Sequence, residues 1–446
     1  MKGQKKLVMS LIAACLFALG GIFLCSCAPQ AQLPTFSVNE NGELIALYPG
    51  GSSENLGKVT GSDGEKGEKG EKGEKGEDGQ GGISPATVNQ SLKNAVSIQL
   101  IVEYSHRTGS FGPTTTNKMV FYGSGVIISL DKEQGDAYIL TNAHVIYDGA
   151  FVQNGITYTP TSTPPTRNLY LYGMGYEKYE EQYAIPFTVV GYSKENDLAV
   201  LKVENSQILK NSVAQAAPIG NSDNILVGEQ TYLVGNALGD GIAATTGVVS
   251  VERERIDVLF ADGTTVLTLD SIRTDAAANH GNSGGGMYNQ KGELIGILFA
   301  GYNENGAQGM SNCLPINTVM GIANSIINNC NGATVNTKKA DLGITLNLQS
   351  VSQIYDERTG KVFVQERNVV QSVSQASPAQ GILRFGDELV SASLHGENTK
   401  IYRQWQLFDL LWRVRAGDTL VVTVLRNGEQ ISVLIPFTAE HFVSVA

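Results

Sequence analysis

The residues best suited to chemistry lie in a glycine-rich turn around Ser283, within Gly281-Asn282-Ser283-Gly284. Such a turn exposes the serine hydroxyl and leaves backbone N–H groups free. Gly281 has no Cβ, so its peptide plane can orient without a clash. The amides of Gly281 and Ser283 are placed to face a developing oxyanion, an interaction worth about 2.7 to 4 kcal/mol per donor. The turn predicts a nucleophilic serine beside an oxyanion hole.

A serine nucleophile needs a base, and the chain contains five histidines. Of these, His280 is only three residues before Ser283 and is too constrained to accept its proton. His144 follows an apolar, strand-like run at residues 137–140 and begins a short helical turn, which is a sound platform for a general base. A lone histidine is more often structural, so its position alone does not settle the role. The remaining three lie near domain ends or in the C-terminal part: His106, His395 and His441.

The elements that must position these residues are predicted to be mostly β-strands. Between residues 84 and 331, short β-branched and aromatic runs alternate with Gly, Asn and Asp, a pattern typical of a barrel or sandwich. Residues 316–328 have the apolar spacing of a helix that closes this domain. After a polar linker at 331–339, a second domain follows at 340–440. The 446-residue length is consistent with several domains.

The chain is acidic, with 32 Lys and Arg against 43 Asp and Glu and a formal net charge of −11. This charge argues against nucleic acid as a partner. No Cys or His cluster has the spacing of a metal site, and no cofactor is expected. Of the five cysteines, Cys313 and Cys330 follow the N-terminal region; two unpaired thiols are favoured over one bridge.

Five motifs, in order, resemble the trypsin-like serine proteases, and most closely their HtrA (Deg) branch. Together they run from about residue 120 to 314. The matching segments are Gly123-Ser124-Gly125, Thr141-Asn142-Ala143-His144, Asn196-Asp197-Leu198, Gly235-Asn236-Ala237-Leu238-Gly239 and Gly281-Asn282-Ser283-Gly284-Gly285. Ala237 replaces a proline that is usual in the family.

This resemblance implies a chymotrypsin-like double β-barrel protease domain at residues 84–331, in which Ser283 attacks the scissile carbonyl. His144 would transfer the proton and Asp197 would orient the imidazole, as in a His-Asp-Ser triad. Asp275 is a rival carboxylate, but the family uses the corresponding segment structurally. The resemblance also implies an extracytoplasmic endopeptidase for unfolded or misfolded proteins that assembles as a homotrimer.

The family comparison also suggests which residues shape the substrate pocket. Ala277 stands where trypsin has its specificity aspartate, six residues before the nucleophile, so cleavage after Lys or Arg is not expected. Ala278, Met310 and Asn312 are assigned to the same pocket, by a looser alignment for the last two. They favour small or medium apolar substrate side chains, although Asn312 departs from the apolar residue common in the family.

Residues 340–440 resemble a PDZ domain. Its carboxylate-binding loop would be Leu342-Gly343-Ile344, whose backbone amides would hold a peptide C-terminus while the peptide adds a strand. Residues 404–415 are the expected groove helix, with one apolar stripe assigned mainly to the core. A second stripe either walls the groove or packs on the neighbouring domain. The two stripes are Leu407, Leu411 and Val414, and Trp405, Phe408 and Trp412.

The N-terminus has the pattern of an export signal at residues 1–27, with three lysines before an apolar run at 7–24. Residues 24–27 resemble a bacterial lipobox, which makes Cys27 the expected lipidation site and the membrane a partner. An uncleaved membrane anchor is the alternative, because the apolar run is just long enough to span a bilayer. Either would tether the protein outside the cytoplasm.

Two further segments separate this signal from the predicted protease domain. Residues 28–60 are expected to form a small surface module with a hairpin turn at 39–43. Residues 61–82 repeat Gly-X-Y seven times and resemble a collagen tract, in which glycine fits the crowded axis of three chains. A charged flexible spacer is an equally good interpretation.

Two rival functions remain compatible with this organisation. One is a catalytically silent surface scaffold or adhesin that binds partners through its PDZ and collagen-like segments, against which the complete His-Asp-Ser set argues. The other is a processing protease with narrow specificity, which the motifs do not distinguish from a quality-control protease.

Overall fold

The computed structural model describes residues 34–58, 82–107, 112–174, 179–301, 309–329, 337–357 and 360–445. The chain separates into two compact units, residues 1–79 and 80–446. The described part of the first unit is a three-stranded antiparallel sheet in the order β1-β2-β3. Its strands are β1 (Thr35–Val38), β2 (Glu43–Leu47) and β3 (Ser53–Lys58).

This small sheet buries very little apolar surface. The turn expected at residues 39–43 joins β1 to β2, and Asn39 accepts hydrogen bonds from two backbone amides there. Ala46 is fully buried, whereas Phe36, Val38 and Leu56 are 61%, 58% and 49% exposed. The strand register places these apolar residues on one face of the sheet.

The second unit begins with helix α1 (Pro85–Ser91), which Ser84 caps by accepting a hydrogen bond from the Thr87 amide. A nine-stranded antiparallel sheet follows, with the main order β10-β9-β4-β5-β6-β12-β11. Hydrogen bonds among the described residues leave this sheet open at its ends. Its strands are β4 (Ala95–Arg107), β5 (Thr114–Asp131), β6 (Asp136–Thr141), β7 (Phe151–Gln153), β8 (Ile156–Pro160), β9 (Thr166–Leu171), β10 (Ile185–Pro186), β11 (Thr188–Ser193) and β12 (Leu198–Val203).

Helix α2 (Gln207–Asn211) leads from this sheet to a closed barrel in the order β13-β14-β15-β18-β17-β16. Helix α3 (Ile316–Asn329) then packs on both, close to the 316–328 predicted from apolar spacing. We call residues 82–329 the two-sheet region. The barrel strands are β13 (Gln230–Gly235), β14 (Ala243–Leu259), β15 (Val266–Thr274), β16 (Gly286–Asn289), β17 (Leu294–Gly301) and β18 (Ser311–Pro315).

One continuous apolar core holds the two sheets together. It contains Val126 and Leu140 from the first sheet, Tyr232 and Tyr288 from the barrel, and Val319 from α3. The two tyrosine rings stack 5.2 Å apart, and their hydroxyls reach Ser91 and Asn94. Because the sheets share a core, loops from both are held at fixed positions along the cleft between them.

The C-terminal domain is a six-stranded antiparallel sheet in the main order β20-β21-β22-β24-β25, with one helix, α4 (Gln404–Arg413). The expected linker ends in a strand, β19, which pairs with β26 near the C-terminus. The strands are β19 (Lys338–Ala340), β20 (Ile344–Asp356), β21 (Lys361–Val373), β22 (Glu388–Leu394), β23 (Glu397–Lys400), β24 (Thr419–Arg426), β25 (Glu429–Pro436) and β26 (Phe442–Ser444).

Helix α4 lies against the two-sheet region, which decides between the two interpretations of its second aromatic stripe. Trp412 is 4% exposed and belongs to the core of the two-sheet region. A Cβ added to Gly321 of α3 would lie 2.6 Å from that of Trp412, so the helices meet where one has no side chain. Trp405 stacks on the guanidinium of Arg253, 4.5 Å from the ring centre. The first stripe is buried in the C-terminal domain's own core, as expected.

A buried ion pair completes this interface. The Arg253 guanidinium lies 3.0 Å from the Asp409 carboxylate, and its side chain is only 3% exposed. Asp409 also accepts a hydrogen bond from Thr318 of α3. Burial raises the pKa of Asp409 to about 6, although Arg253 and Thr318 oppose the shift. The carboxylate therefore depends on these partners to stay charged at neutral pH.

We expect Asp409→Ala to lower the free energy of unfolding by about 3 kcal/mol, at the low end for breaking a buried pair, because Asp270 still contacts Arg253 at 3.2 Å. Chemical denaturation measures this loss. The control is Glu397→Ala, which removes an exposed partner of Arg413 and should lower the free energy of unfolding far less, because solvent screens that pair. Equal losses for both variants would contradict a structural role for the buried pair.

Candidate active site

Asp197 and His144 are joined by two contacts at the cleft between the two sheets. One carboxylate oxygen of Asp197 lies 2.7 Å from the His144 ring Nδ1, and the other accepts the His144 backbone amide at 2.9 Å. Asp197 is 2% exposed, whereas 27% of the His144 side chain remains open. The carboxylate thus holds both the ring and its backbone, and leaves Nε2 as the ring nitrogen available to other groups.

The local backbone explains how Asp197 reaches this position. His144 begins a short 3-10 turn (His144–Ile146) after β6, and Asp197 ends the turn between β11 and β12. Asp197 has a left-handed conformation with φ 47°, which is uncommon for a residue with a side chain. The side-chain amide of Asn142 donates to the Asp197 carbonyl at 2.9 Å and ties the two turns together.

Two opposing effects set the pKa of the His144 imidazole. Burial by itself lowers the pKa of His144, but the charge of Asp197 and its hydrogen bond outweigh this effect. The net result is a pKa above the ordinary value. A histidine in this setting gains a proton readily and is stabilised once it is charged, as a general base requires.

Ser283 lies across the cleft in the turn between β15 and β16, which folds tightly against neighbouring backbone. Gly281 and Gly284 both have positive φ, at 91° and 85°. A Cβ would lie 2.3 Å from the Asn236 carbonyl oxygen at the first position and 2.0 Å from that of Ser124 at the second. Only glycine fits at either place, which accounts for the glycine-rich composition of this turn.

The turn leaves two backbone donors available. In the part of the chain that the structure describes, the amides of Gly281 and Ser283 donate to no protein acceptor. The Ser283 hydroxyl donates to the Phe299 carbonyl at 3.5 Å and makes no described bond to His144. Both side chains nevertheless line one cavity of about 280 Å³, together with Asp197, His280 and Phe260. A larger cavity of about 710 Å³ lies elsewhere, and neither His nor Cys is among its described lining residues.

Ser124 is a residue of this site to which the sequence analysis gave no role. Its hydroxyl donates to the Gly281 carbonyl at 2.7 Å and accepts the Asn236 amide at 2.7 Å. Its own amide donates to the Ser283 carbonyl at 2.8 Å. Ser124 therefore joins the first sheet to the serine turn and to the loop after β13. Its position between Gly123 and Gly125 was the available signal.

The four residues assigned to the substrate pocket lie on two segments that adjoin, because β18 pairs with β15 and the Ser311 hydroxyl donates to the Ala276 carbonyl at 2.7 Å. Ala277 is exposed, and its carbonyl accepts a hydrogen bond from Thr245. Ala278 packs against the interior of the barrel. Asn312 is 2% exposed, and its side-chain oxygen accepts from Ser271. Neither these three nor Met310 is among the described residues that line the cavity holding His144 and Ser283.

The expected carboxylate loop precedes β20 in the C-terminal domain. Leu342 is 2% exposed and anchors the loop in the core, and Ile344 begins the strand. The Gly343 amide already donates to the Asp341 carboxylate at 2.8 Å, and the Gly343 carbonyl accepts from Ser374. Gly343 has φ 66°, and a Cβ there would lie 2.2 Å from that of Ser377.

The remaining sequence predictions fall partly outside the described residues, which do not include Cys27, Cys330 or residues 61–81. Cys313 is a free, fully buried cysteine in β18, and burial raises the pKa of its thiol. Across the described ranges, no group of three or more His, Cys, Asp or Glu is placed to hold a metal ion. Within the same ranges, no helix has the length and apolarity needed to cross a membrane.

We expect an NMR titration of the His144 ring to give a pKa above the ordinary value of about 6.5. Asp197→Asn should bring it below that value, because burial remains while the compensating charge is lost. Asp275→Asn is the control, since that carboxylate accepts the Val248 amide and does not touch His144. An unchanged titration in Asp197→Asn would show that the pair is not electrostatically coupled.

The geometry of this site agrees with comparisons to known proteins. A trypsin-like peptidase domain matches residues 123–297, and a PDZ domain matches residues 340–436. Serine protease Do-like HtrA of Bacillus subtilis is 28% identical over 317 residues, which is 70% of this chain and 62% of the relative. Serine protease Do-like HtrB of the same species is 30% identical over 315 residues, 69% of this chain and 60% of the relative.

A third relative, serine protease Do-like HtrA of Lactococcus lactis, is 28% identical over 355 residues, which is 77% of each chain. The chain thus spans less than two thirds of the length of the two Bacillus relatives and more than that of the Lactococcus one. The mostly β architecture expected from the sequence is confirmed. The chain contains a trypsin-like peptidase domain followed by a PDZ domain, and it is similar to serine proteases of the HtrA type.

Proposed function

We propose that the chain is an extracytoplasmic endopeptidase that hydrolyses peptide bonds of unfolded or misfolded proteins with a triad of His144, Asp197 and Ser283. The observation that carries the proposal is the double contact of Asp197 with the ring and backbone of His144, at the edge of a cavity that also contains Ser283. A silent scaffold would have no need for a buried, left-handed aspartate aimed at a histidine.

The proposed mechanism assigns one role to each group. Asp197 accepts a hydrogen bond from the Nδ1–H of His144 and stays ionised. The unprotonated Nε2 is then free to take the Ser283 proton as Oγ attacks the scissile carbonyl. For this step the hydroxyl leaves the Phe299 carbonyl and turns toward Nε2. The free amides of Gly281 and Ser283 then donate to the oxyanion. His144 returns its proton to the leaving amine, and water releases the acyl group by the same route.

The substrate preference that we propose follows from what surrounds the cavity. Leu259, Phe260 and Leu267 line it, and the specificity position before Ser283 is occupied by Ala277 instead of an aspartate. An unfolded chain offers apolar side chains to such a site. Cleavage after small or medium apolar residues is therefore favoured over cleavage after Lys or Arg.

The PDZ domain is proposed to recruit peptides by their C-termini. Strand β20 is at the end of its sheet and has a free edge on which an extended peptide can add a strand. The loop at Leu342, Gly343 and Ile344 begins that edge, so its amides are in register with the end of an added strand. Peptide binding by the PDZ domain is therefore proposed from this edge strand and the loop that begins it.

The N-terminal sequence supports a tethered protein outside the cytoplasm, with Cys27 as the lipidated residue after removal of the signal. Assembly as a homotrimer is part of the same proposal. A collagen-like helix requires three chains, and a trimer would supply them, each with seven Gly-X-Y triplets.

We expect Ser283→Ala to abolish casein hydrolysis while the fold is retained, because Ser283 is the one Ser, Thr or Cys among the described residues that line the cavity with His144. A fluorophosphonate probe should label the wild-type protein at Ser283 and leave the variant unlabelled. His280→Ala, which changes a neighbouring residue of the same cavity, should keep both activity and labelling. Comparable activity in Ser283→Ala, or a label on another serine, would refute the proposed triad.

We expect peptides with a free C-terminal carboxylate to bind more tightly than the same peptides with an amidated end. The reason is that a peptide carboxylate would replace the Asp341 carboxylate, which accepts the Gly343 amide at 2.8 Å, whereas an amidated end carries no charge to do so. Isothermal titration of the Ser283→Ala protein measures both affinities without cleavage of the ligand. Equal affinities for the two peptides would contradict the carboxylate loop.

A further inference from the structure

The hairpin between β14 and β15 reaches the turn that presents Asp197. At its tip, the Asp262 carboxylate lies 2.7 Å from the ammonium of Lys194, which also donates to the Thr265 hydroxyl at 3.1 Å. Lys194 is three residues before Asp197. The hairpin is therefore joined to the triad's aspartate turn by a charged contact between elements 68 residues apart in sequence.

Asp262 is held rigidly for this contact. One of its oxygens accepts the amides of Thr264 and Thr265 at 2.9 and 2.8 Å, and the other accepts the Thr265 hydroxyl at 2.6 Å. Burial would raise its pKa, but the hydrogen bonds from Lys194 and Thr265 outweigh this and hold the pKa well below its usual range. Its side chain is 11% exposed, so solvent screens the pair with Lys194 only partly.

Lys194 transmits this contact to the Asp197 backbone. The Lys194 carbonyl accepts the Asp197 amide at 3.1 Å and closes the turn in which Asp197 is left-handed. A non-glycine residue in such a conformation is strained, and the surrounding structure must hold it in place. The anchor at Asp262 restrains the residue that closes this turn.

The same hairpin tip also supports the His144 side of the pair. Phe260 is 4% exposed and packs edge-on against Tyr147, 5.2 Å between ring centres, three residues after His144. The Lys194 ammonium lies 4.9 Å from the Phe260 ring centre. The Asp262 carbonyl accepts the Val152 amide at 3.0 Å. The tip therefore contacts the chain on both sides of the His144–Asp197 pair.

We propose that Asp262 and Lys194 are positioning residues of the active site, which hold the Asp197 turn so that its carboxylate keeps both contacts with His144. This inference rests on the proposed triad. When the pair is broken, the turn is released from its anchor and the carboxylate no longer holds the ring and the backbone amide together. Neither residue touches Ser283, so both act through Asp197.

The test compares Asp262→Asn and Lys194→Met with the wild-type protein. Both variants nearly preserve side-chain volume, and Met keeps an apolar stem against Phe260. We expect kcat on a short peptide to fall by about 10- to 100-fold, as a misplaced catalytic group causes, with little change in KM. Lys194→Arg should retain most of the activity. Lys202→Met is the matched control, because it breaks an exposed ion pair between β12 and Glu204, which follows directly after that strand.

The His144 titration provides a readout that does not depend on activity. We expect its pKa to fall toward the ordinary value in Asp262→Asn and Lys194→Met and to stay unchanged in Lys202→Met. Direct charge effects must be separated, and the other ionisable groups around the tip are Tyr147, Tyr192 and Asp148. The two substitutions remove charges of opposite sign, so direct charge effects would shift the pKa of His144 in opposite directions. A lower pKa of His144 in both variants therefore reports displacement of Asp197, whereas shifts in opposite directions would overturn the inference.

The outcomes separate this inference from the proposed function. An unchanged His144 titration and an unchanged kcat in folded variants would overturn the positioning role while leaving the triad intact. Full activity in Ser283→Ala would refute the triad, and the titration would still decide whether the hairpin holds Asp197. If either variant melts early, Thr265→Val removes only the hydroxyl shared by Lys194 and Asp262, and it should produce the same two effects at smaller size.

Discussion

The active site depends on one contact, in which the buried Asp197 carboxylate binds the His144 ring and backbone amide at once. An uncompensated carboxylate with 2% exposure would be costly, and a left-handed aspartate adds strain. Both costs are offset only if the turns at His144 and Asp197 approach in one geometry. The antiparallel pairing of β6 with β12 provides it, because these strands lie side by side and the two turns adjoin the same end of the pair.

The second requirement is that the serine turn faces this pair from the other sheet. Ser124 meets it with two hydrogen bonds, from its amide to the Ser283 carbonyl and from its hydroxyl to the Gly281 carbonyl, and the same hydroxyl accepts the Asn236 amide. The tight approach at Gly281 and Gly284 allows no side chain, so the turn has little freedom to move away. Rigid support on both sides of the cleft suits a mechanism in which the serine hydroxyl is the group that must reorient.

Much of this organisation is predictable from sequence, because the local motifs carry it. The helix expected at 316–328 is Ile316–Asn329, and the helix expected at 404–415 ends at Arg413. Val414 has extended backbone angles and so ends the helix, while its side chain still contributes to the core. Apolar periodicity reports which residues are buried, and it does not reveal where the backbone leaves the helix.

The contacts between distant segments could not be read in the same way. The pairing of Lys194 with Asp262 and the bridging role of Ser124 depend on how loops from different strands meet, and nothing in their local sequence marks a partner. The aromatic stripe of α4 was compatible with two environments for the same reason. Its packing on α3 became clear only from the position of Gly321, where a missing side chain makes room for Trp412.

The packing of α4 on α3 also affects what removal of the C-terminal domain would measure. A truncated chain would lose Asp409 from the buried Arg253 and would expose the apolar surface that Trp412 covers. Its altered activity would combine the loss of peptide recruitment with a change in the peptidase domain itself. Substitutions confined to the carboxylate loop separate the two effects better, because they leave both Asp409 and Trp412 in the chain.

The free cysteine in β18 offers a way to follow opening of the barrel. Cys313 is fully buried between β15 and β17, and its thiol is held in the protonated, unreactive form. Oxidants and alkylating reagents reach it only when the barrel opens. The rate at which a thiol reagent modifies Cys313 therefore measures how often the barrel opens. Each opening also exposes the thiol to oxidation.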